Sequence, residues 1–282
     1  MRILLIGDVI GRPGRDVLAA ELRPLREKLD IEFVIANGEN AAGGFGLTRN
    51  VANDLFSNGV DVLTTGNHWL DQKEILGFIG DDDRVLRPLN YPKGTPGRGA
   101  GLYHTRDGSR VLVINPIGRI FMDPLDDPFA AVDRELSACP LGEGADAIMV
   151  DMHAEATSEK MTMGHFCDGR ASAVIGTHSH VPTADAQILP LGTAYQTDAG
   201  ACADYDSVIG MDKFEPLQRF TKKMPTGRMS PATGPATLCA VFVETAPKTG
   251  LAVRCEPVRI GGRLKPSVPS GLPPVFGPPP AR

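Results

Sequence analysis

The chain has 282 residues, of which 42% are hydrophobic and 22% charged, and its formal net charge is −5. This size fits one large domain or two small ones, and no apolar run approaches the roughly 20 residues that span a bilayer. The lack of a dense Lys/Arg block argues against extended contact with a nucleic-acid backbone. The scattered cysteines indicate reduced thiols. The apolar run at 2–7 is too short for a signal peptide, so we expect a cytoplasmic protein without a membrane partner.

The first third of the chain repeats one pattern three times, in which an apolar run is followed by a polar cluster and then by a helical segment. This alternation predicts an α/β fold, in which ligands lie at the carboxyl ends of the strands. The predicted strands are 2–7, 33–36 and 60–64, and the predicted helices run to about Leu29, from the N-cap Thr48 to about Phe56, and near 72–79.

The second part continues the alternation and then changes to long β-strands. We predict strands at 110–115, 147–150 and 173–177, helices at 129–136 and 158–167, a hairpin at 187–191 and 193–197, and antiparallel strands at 237–244 and 251–260. The late strands suggest a second sheet packed on the first. We therefore expect one domain over residues 1–262, built as a four-layer α/β/β/α sandwich in which helices flank two mixed sheets.

The last twenty residues differ in composition from the rest. Seven of the 24 prolines lie within 265–282. Such a segment cannot build a packed core, so residues 263–282 are predicted to form a disordered Pro-rich tail.

Side chains of types that commonly bind metals follow five of the predicted strands. They are Asp8, Glu39 with Asn40, Asn67 with His68, His153, and the pair His178 and His180. Each has another explanation by itself: a loop cap, a turn residue or a hydrogen-bonded core histidine. Because the carboxyl ends of parallel strands share one edge of a sheet, their combination predicts a site for two adjacent metal ions.

The order of these residues resembles the calcineurin-like metallophosphoesterase superfamily, whose pattern is D-x-H…G-D…G-N-H…H…G-H-x-H. The chain departs from it at Ile10, where a ligand histidine is usual, and at Glu39, where aspartate is usual. Both departures resemble the YmdB-like phosphodiesterase branch. Further stretches that resemble this branch are 7–11, 37–44, 66–68 and 206–211, and the likeness covers residues 1–262.

The resemblance implies a ligand set for two metal ions. Asp8, Glu39, Asn40 and His180 would hold one ion, and Glu39, Asn67, His153 and His178 would hold the other. Glu39 would bridge the pair. The family implies iron or manganese, and ligands without cysteine also permit zinc.

The resemblance also implies an activity. A hydroxide that bridges the metals would hydrolyse small phosphodiesters such as 2′,3′-cyclic AMP, while His68 would stabilise the phosphate and protonate the leaving alkoxide. Two alternatives stay open: a metal-dependent nucleotide sensor that acts through protein partners, and a phosphomonoesterase. A homo-oligomer is also open.

Four other features receive structural predictions. Gly7, Gly11 and Gly14 lack the G-x-G-x-x-G spacing of a dinucleotide site. His104 and His165 are predicted to be structural or exposed, and Trp69 to pack in the core. Asp198 is equally suited to support the metal ligands or to cap a loop.

Overall fold

The computed structural model describes residues 1–224 and 227–270. In the first half of the chain the elements are β1 (Arg2–Val9), α1 (Gly11–Leu29), β2 (Phe33–Asn37), α2 (Arg49–Ser57), β3 (Val62–Thr64), a 3₁₀ helix (Lys73–Gly77), β4 (Ala100–His104), β5 (Arg110–Ile114) and α3 (Pro128–Ala138). In the second half they are β6 (Ala147–His153), α4 (Thr157–Cys167), β7 (Ala173–Thr177), β8 (Gln187–Ile188), β9 (Ala194–Gln196), β10 (Ala201–Asp204), α5 (Phe214–Lys222), β11 (Ala236–Thr245) and β12 (Ala252–Gly261).

These strands form two mixed six-stranded sheets. The first has the order β12-β11-β10-β1-β2-β3, with parallel pairing from β1 to β3, and the second has the order β4-β5-β6-β7-β9-β8. Side chains alternate across each strand, so successive residues of β1 enter different cores. Ile3 and Leu5 pack between the sheets, whereas Leu4 and Ile6 pack against the helices α1 and α2. A third core lies between the second sheet and helices α3 and α4. This is the predicted four-layer sandwich.

The last two strands are placed differently from the prediction. We expected them to start a second sheet, and this is wrong, because β11 and β12 extend the first sheet. β11 pairs with β1 in antiparallel register from Arg2–Glu244 to Ile6–Ala240. The second sheet begins instead at β4, which the sequence did not predict, and β10 and α5 were also missed.

The first residues of the predicted tail lie against β12. Arg259 and Ser267 exchange two backbone hydrogen bonds of 2.7 and 3.0 Å, and the Arg254 guanidinium donates to the Ser270 carbonyl at 2.7 Å. Residues 271–282 lie outside the described residues, so the disordered tail stays a prediction. Among the helices that the structure describes, none is long and apolar enough to cross a bilayer.

Candidate metal centre

The seven predicted metal ligands meet where the strands of the two sheets end. Ligand atoms of Glu39, His153 and His178 lie within 4.8 Å of one another, and so do those of Asp8, Glu39 and His180. Two amide side chains complete the group: Asn67 Oδ1 lies 3.0 Å from His153 Nε2, and Asn40 Nδ2 lies 3.3 Å from His180 Nε2. Glu39 is common to both sets, as the predicted bridge requires.

Glu39 is held in place from both sides of its turn. Its backbone N–H donates to Asn37 Oδ1 at 3.1 Å, and its Oε2 accepts from the His68 backbone N–H at 2.9 Å. The side chain is fully buried. Burial by itself would raise the pKa of Glu39, but the adjacent His153 outweighs it and lowers the pKa to about 2. Glu39 is therefore an anion that is available to cations.

His153 is oriented by a buried chain of hydrogen bonds. Its Nδ1 lies 2.9 Å from Thr177 Oγ1, and that hydroxyl donates to Asp151 Oδ1 at 2.6 Å. Thr177 therefore accepts from Nδ1–H, and Nε2 is directed at the cluster, as in metal-binding histidines. Burial would lower the pKa of His153, but Glu39 outweighs it and raises the pKa to about 9. Gly66 leaves room for this ring, because a Cβ there would lie 2.1 Å from Nε2.

His178 and His180 lie in an unusual loop that follows β7. Both have left-handed backbones, with φ values of +93° and +64°, which non-glycine residues seldom adopt. Ser179, between them, donates its N–H and hydroxyl to Asp198 Oδ2 at 3.0 and 2.8 Å. The same oxygen accepts from Lys160 Nζ at 2.8 Å, and both partners are buried. Asp198 therefore supports the ligand loop. Its Oδ1 also accepts from the Gly200 N–H at 2.8 Å, so the residue fulfils both predicted roles.

The rings of the two loop histidines differ in their contacts. His180 Nδ1 lies 2.9 Å from the Ile209 carbonyl, which directs Nε2 at the cluster. The His178 ring lies 3.1 Å from His153 Nε2 on one side and 3.0 Å from Glu155 on the other. Burial, together with the positive charge of His153, lowers the pKa of His178 to about 3. His178 is thus a neutral ring at pH 7, ready to bind a metal.

His68 stands apart from both ligand sets. Its ring is one-third exposed, at 33%, and Nδ1 lies 3.0 Å from Asp71 Oδ2. The Phe45 ring packs against it in a T-shaped arrangement at a centroid distance of 5.1 Å. The adjacent Trp69 is fully buried, as predicted, and contacts the Tyr91 ring edge-on. His68 therefore belongs to neither ligand cluster and lines the cleft beside them.

Two buried oxygens show whether this donor set fits cations. Asp8 Oδ1 and Asn40 Oδ1 are both buried without a hydrogen-bond partner. Leaving such an acceptor unsatisfied costs about 1–3 kcal/mol. Burial also raises the pKa of Asp8 to about 6, although the neighbouring histidines act against it. Metal ions between these groups would satisfy both oxygens and compensate the buried carboxylate, so the residues fit a metal pair.

Three supporting residues were not predicted from the sequence. Asp151 lies two positions before His153 on the same strand, and this spacing places both side chains on one face. That signal could have revealed it. Lys160 and Asp71 lie on helical or turn segments, where an isolated charge gives no comparable signal.

Comparisons with known proteins agree with this geometry. A family model described as "YmdB-like protein" matches residues 4–258. The 2′,3′-cyclic-nucleotide 2′-phosphodiesterase of Bacillus subtilis is 46% identical over 260 residues, which cover 92% of this chain and 97% of that protein.

Two solved structures have the same fold. A hypothetical protein from Thermus thermophilus superimposes with a TM-score of 0.86 and 45% identity, covering 93% of this chain and 100% of its own. A phosphatase from Mycoplasma pneumoniae has a TM-score of 0.86 and 30% identity, covering 93% of both chains. These relatives confirm the predicted fold and the prediction of a phosphoesterase enzyme. The chain belongs to the YmdB-like protein family.

Proposed function

We propose that this protein is a two-metal phosphodiesterase that hydrolyses 2′,3′-cyclic nucleotides in the cytoplasm. The observation that carries the proposal is the position of Glu39, whose carboxylate belongs to both clusters of ligand atoms. A shared carboxylate is what a pair of adjacent metal ions requires. The substrate comes from the Bacillus subtilis relative, whose name gives that activity.

The proposed ligands are those of the two clusters and their amide neighbours. Asp8, Glu39, Asn40 and His180 hold one ion, while Glu39, Asn67, His153 and His178 hold the other. Iron or manganese is proposed, and a nitrogen and oxygen donor set also accepts zinc. When bound, such ions supply charge neutralisation at the phosphoryl oxygens and an activated water.

His68 is the proposed general acid. Its Nδ1 contacts Asp71 at 3.0 Å, which fixes the ring and leaves Nε2 to carry a proton. That proton would go to the ribose oxygen that leaves phosphorus, so cleavage of the 2′ bond yields a nucleoside 3′-phosphate. The backbone N–H of His68 donates to Glu39, so the acid and the bridge are directly connected. Such an acid contributes about 10²–10⁴ in rate.

The test compares His68→Ala with the control His104→Ala. His104 is an exposed histidine on β4 and belongs to neither ligand cluster. Metal content is measured first, and hydrolysis of 2′,3′-cAMP and bis-p-nitrophenyl phosphate is then followed with Mn²⁺. We expect His68→Ala to lower kcat by about 10²–10⁴ without changing the metal content, and His104→Ala to change neither. If metal-replete wild-type protein cleaves neither substrate, the enzyme proposal is wrong and the nucleotide-sensing alternative takes its place.

A second candidate follows from the Mycoplasma pneumoniae neighbour, which is named a phosphatase. Product analysis separates the two activities. A phosphodiesterase converts 2′,3′-cAMP into 3′-AMP and stops, whereas a phosphomonoesterase releases inorganic phosphate from 3′-AMP. Phosphate release at the faster rate would replace the first proposal with the second.

A further inference from the structure

Phe121 combines two unfavourable features on one residue. The residue is 90% exposed, the largest exposed fraction among the large hydrophobic residues that the structure describes. Its backbone is left-handed, with φ of +60°, a conformation that costs an aromatic residue free energy. A residue with a strained backbone and an exposed side chain does not stabilise the fold. Backbone strain of this kind is typical of ligand sites.

The segment that carries Phe121 is held rigidly. The Asn90 side chain donates to the Ile117 and Asp126 carbonyls at 2.9 and 2.8 Å and accepts from the Ile117 N–H at 2.9 Å. The Glu159 carboxylate accepts from the backbone N–H groups of Arg119 and Ile120 at 3.0 and 3.3 Å. These contacts fix the backbone before Phe121, at residues 117, 119 and 120, and after it, at Asp126. Phe121 is therefore presented to solvent by a defined conformation.

Phe121 faces the same cleft as the metal centre. The cleft has a volume of about 550 Å³, and its lining includes the candidate ligands Asn67 and His178, the adjacent His68, and the aromatic residues Tyr91 and Phe121. This volume lies within the range of about 300–1,000 Å³ that small-molecule sites occupy. Tyr91 is steadied by the buried Trp69, whose ring it meets at 5.4 Å and 86°. A substrate whose phosphate lies near His178 would therefore share the cleft with two aromatic side chains.

We propose that Phe121 determines specificity by stacking on the nucleobase of the substrate, with Tyr91 as the adjoining wall. This inference rests on the proposed function and adds which part of the substrate the cleft recognises. Stacking uses the π face that every base presents, so several bases are accepted. A purine offers a larger face than a pyrimidine, and a cyclic phosphodiester without a base offers none. The expected order of preference is purine, then pyrimidine, then the base-free diester.

The experiment measures kcat and KM of Phe121→Ala for 2′,3′-cAMP, 2′,3′-cUMP and glycerol 1,2-cyclic phosphate. Loss of one stacking contact should raise KM for 2′,3′-cAMP by about 5- to 30-fold, with a smaller rise for 2′,3′-cUMP. The base-free diester should be unaffected. Because stacking acts on bound substrate and transition state alike, kcat should not change. Phe121→Trp should retain the wild-type KM, and Leu102→Ala, at a half-exposed position on β4, serves as the control.

A binding measurement makes the test independent of turnover. Calorimetry on the metal-loaded protein should show an about 5- to 30-fold weaker Kd for 3′-AMP in Phe121→Ala, with an unchanged Kd for inorganic phosphate. Equal effects on both ligands, or none, would overturn the stacking inference whether or not the protein is a phosphodiesterase. Wild-type protein that binds 3′-AMP through Phe121 but hydrolyses no diester would overturn the proposed function alone.

Discussion

The two halves of the metal centre differ in how they are built. We call Glu39, Asn67, His153 and His178 the His153 half, and Asp8, Glu39, Asn40 and His180 the Asp8 half. In the His153 half, within the part of the chain that the structure describes, no buried side-chain nitrogen or oxygen lacks a hydrogen-bond partner. In the Asp8 half, two buried oxygens lack one, on Asp8 and Asn40.

This difference indicates that the protein itself arranges one half, whereas the other half has two buried oxygens that a cation would satisfy. The hydrogen-bond chain from Asp151 through Thr177 orients His153 before any metal arrives. Asp8 has no such partner for Oδ1, and its burial leaves a desolvated carboxylate. Metal binding should therefore stabilise the fold mainly through the Asp8 half.

Replacing Glu39, the proposed bridge, should prevent metal binding in both halves and so abolish the difference between them. Glu39→Gln removes the one carboxylate that both clusters share. We expect activity to fall by more than about 10³-fold, beyond the roughly 10- to 100-fold that is typical of a residue behind a ligand. Metal analysis should find both ions depleted. Glu155→Gln is the matched control, because that half-exposed carboxylate lies 3.0 Å from the His178 ring and belongs to neither ligand cluster. A Glu39→Gln protein that retained two metals and full activity would refute the bridge.

Breaking the ion pair between Lys160 and Asp198 should weaken metal binding in both halves together. Asp198 holds Ser179, which lies between one histidine of each half. Lys160→Met leaves the buried Asp198 carboxylate without its cation, and breaking such a pair costs about 3–5 kcal/mol. Denaturant unfolding of the metal-free protein measures this loss. Adding Asp198→Asn to Lys160→Met should recover part of it, since no buried charge remains. Loss of one metal with the other retained at wild-type affinity would show that the support is not shared.

The ligands could be predicted from the sequence more completely than their supports. Every ligand follows an apolar run, and the parallel strands bring those ends to one edge. The contact between Lys160 and Asp198 joins positions 38 residues apart, and nothing in the local pattern at either position indicates the other. The sequence therefore predicts which side chains meet at the proposed metal centre but not what holds them in place.

The fold shows the same limit. Hydrophobic alternation predicted that β11 and β12 form a hairpin, because neighbouring strands share one turn. It could not predict that β11 would lie beside β1, since a buried strand gives no information about its distant partner. The edge strand β4 was missed because only Gly101 of its five residues is buried, so it lacks an apolar run.

Asp8→Asn should have opposite effects with and without metal. Burial raises the pKa of Asp8 from 3.8 to about 6. The metal-free protein therefore loses stability as the pH rises from about 4 to about 6, and at pH 7 the full penalty, at most about 3 kcal/mol, is present. The asparagine side chain carries no charge, so the metal-free variant should melt at or above the wild-type temperature at pH 7. With Mn²⁺ present, it should melt below wild type. A lower melting temperature in both conditions would show that Asp8 stabilises the fold by itself.

The smallest expected effect is the pH dependence that the protonation of His153 gives to stability and metal binding. The pKa of His153 is raised to about 9, against burial, by Glu39, whereas burial and His153 lower that of His178 to about 3. At pH 7 the metal-free protein therefore has a charged His153 and a neutral His178. The charge on His153 stabilises the metal-free fold below about pH 6.5, and this stabilisation is lost as the pH rises through about 9.

A metal ion has to displace that proton from His153 but none from His178. The apparent Mn²⁺ affinity should thus rise about tenfold per pH unit between about pH 7 and 9, which corresponds to one displaced proton. Imidazole NMR of the metal-free protein, assigned with His→Gln variants, should show His153 titrating near pH 9 and His178 unchanged above about pH 4. A His153 midpoint of about 6.5, with Mn²⁺ affinity independent of pH above about 7, would mean that Glu39 does not hold His153 as a cation. The His153 half would then be as dependent on metal for its charge balance as the Asp8 half.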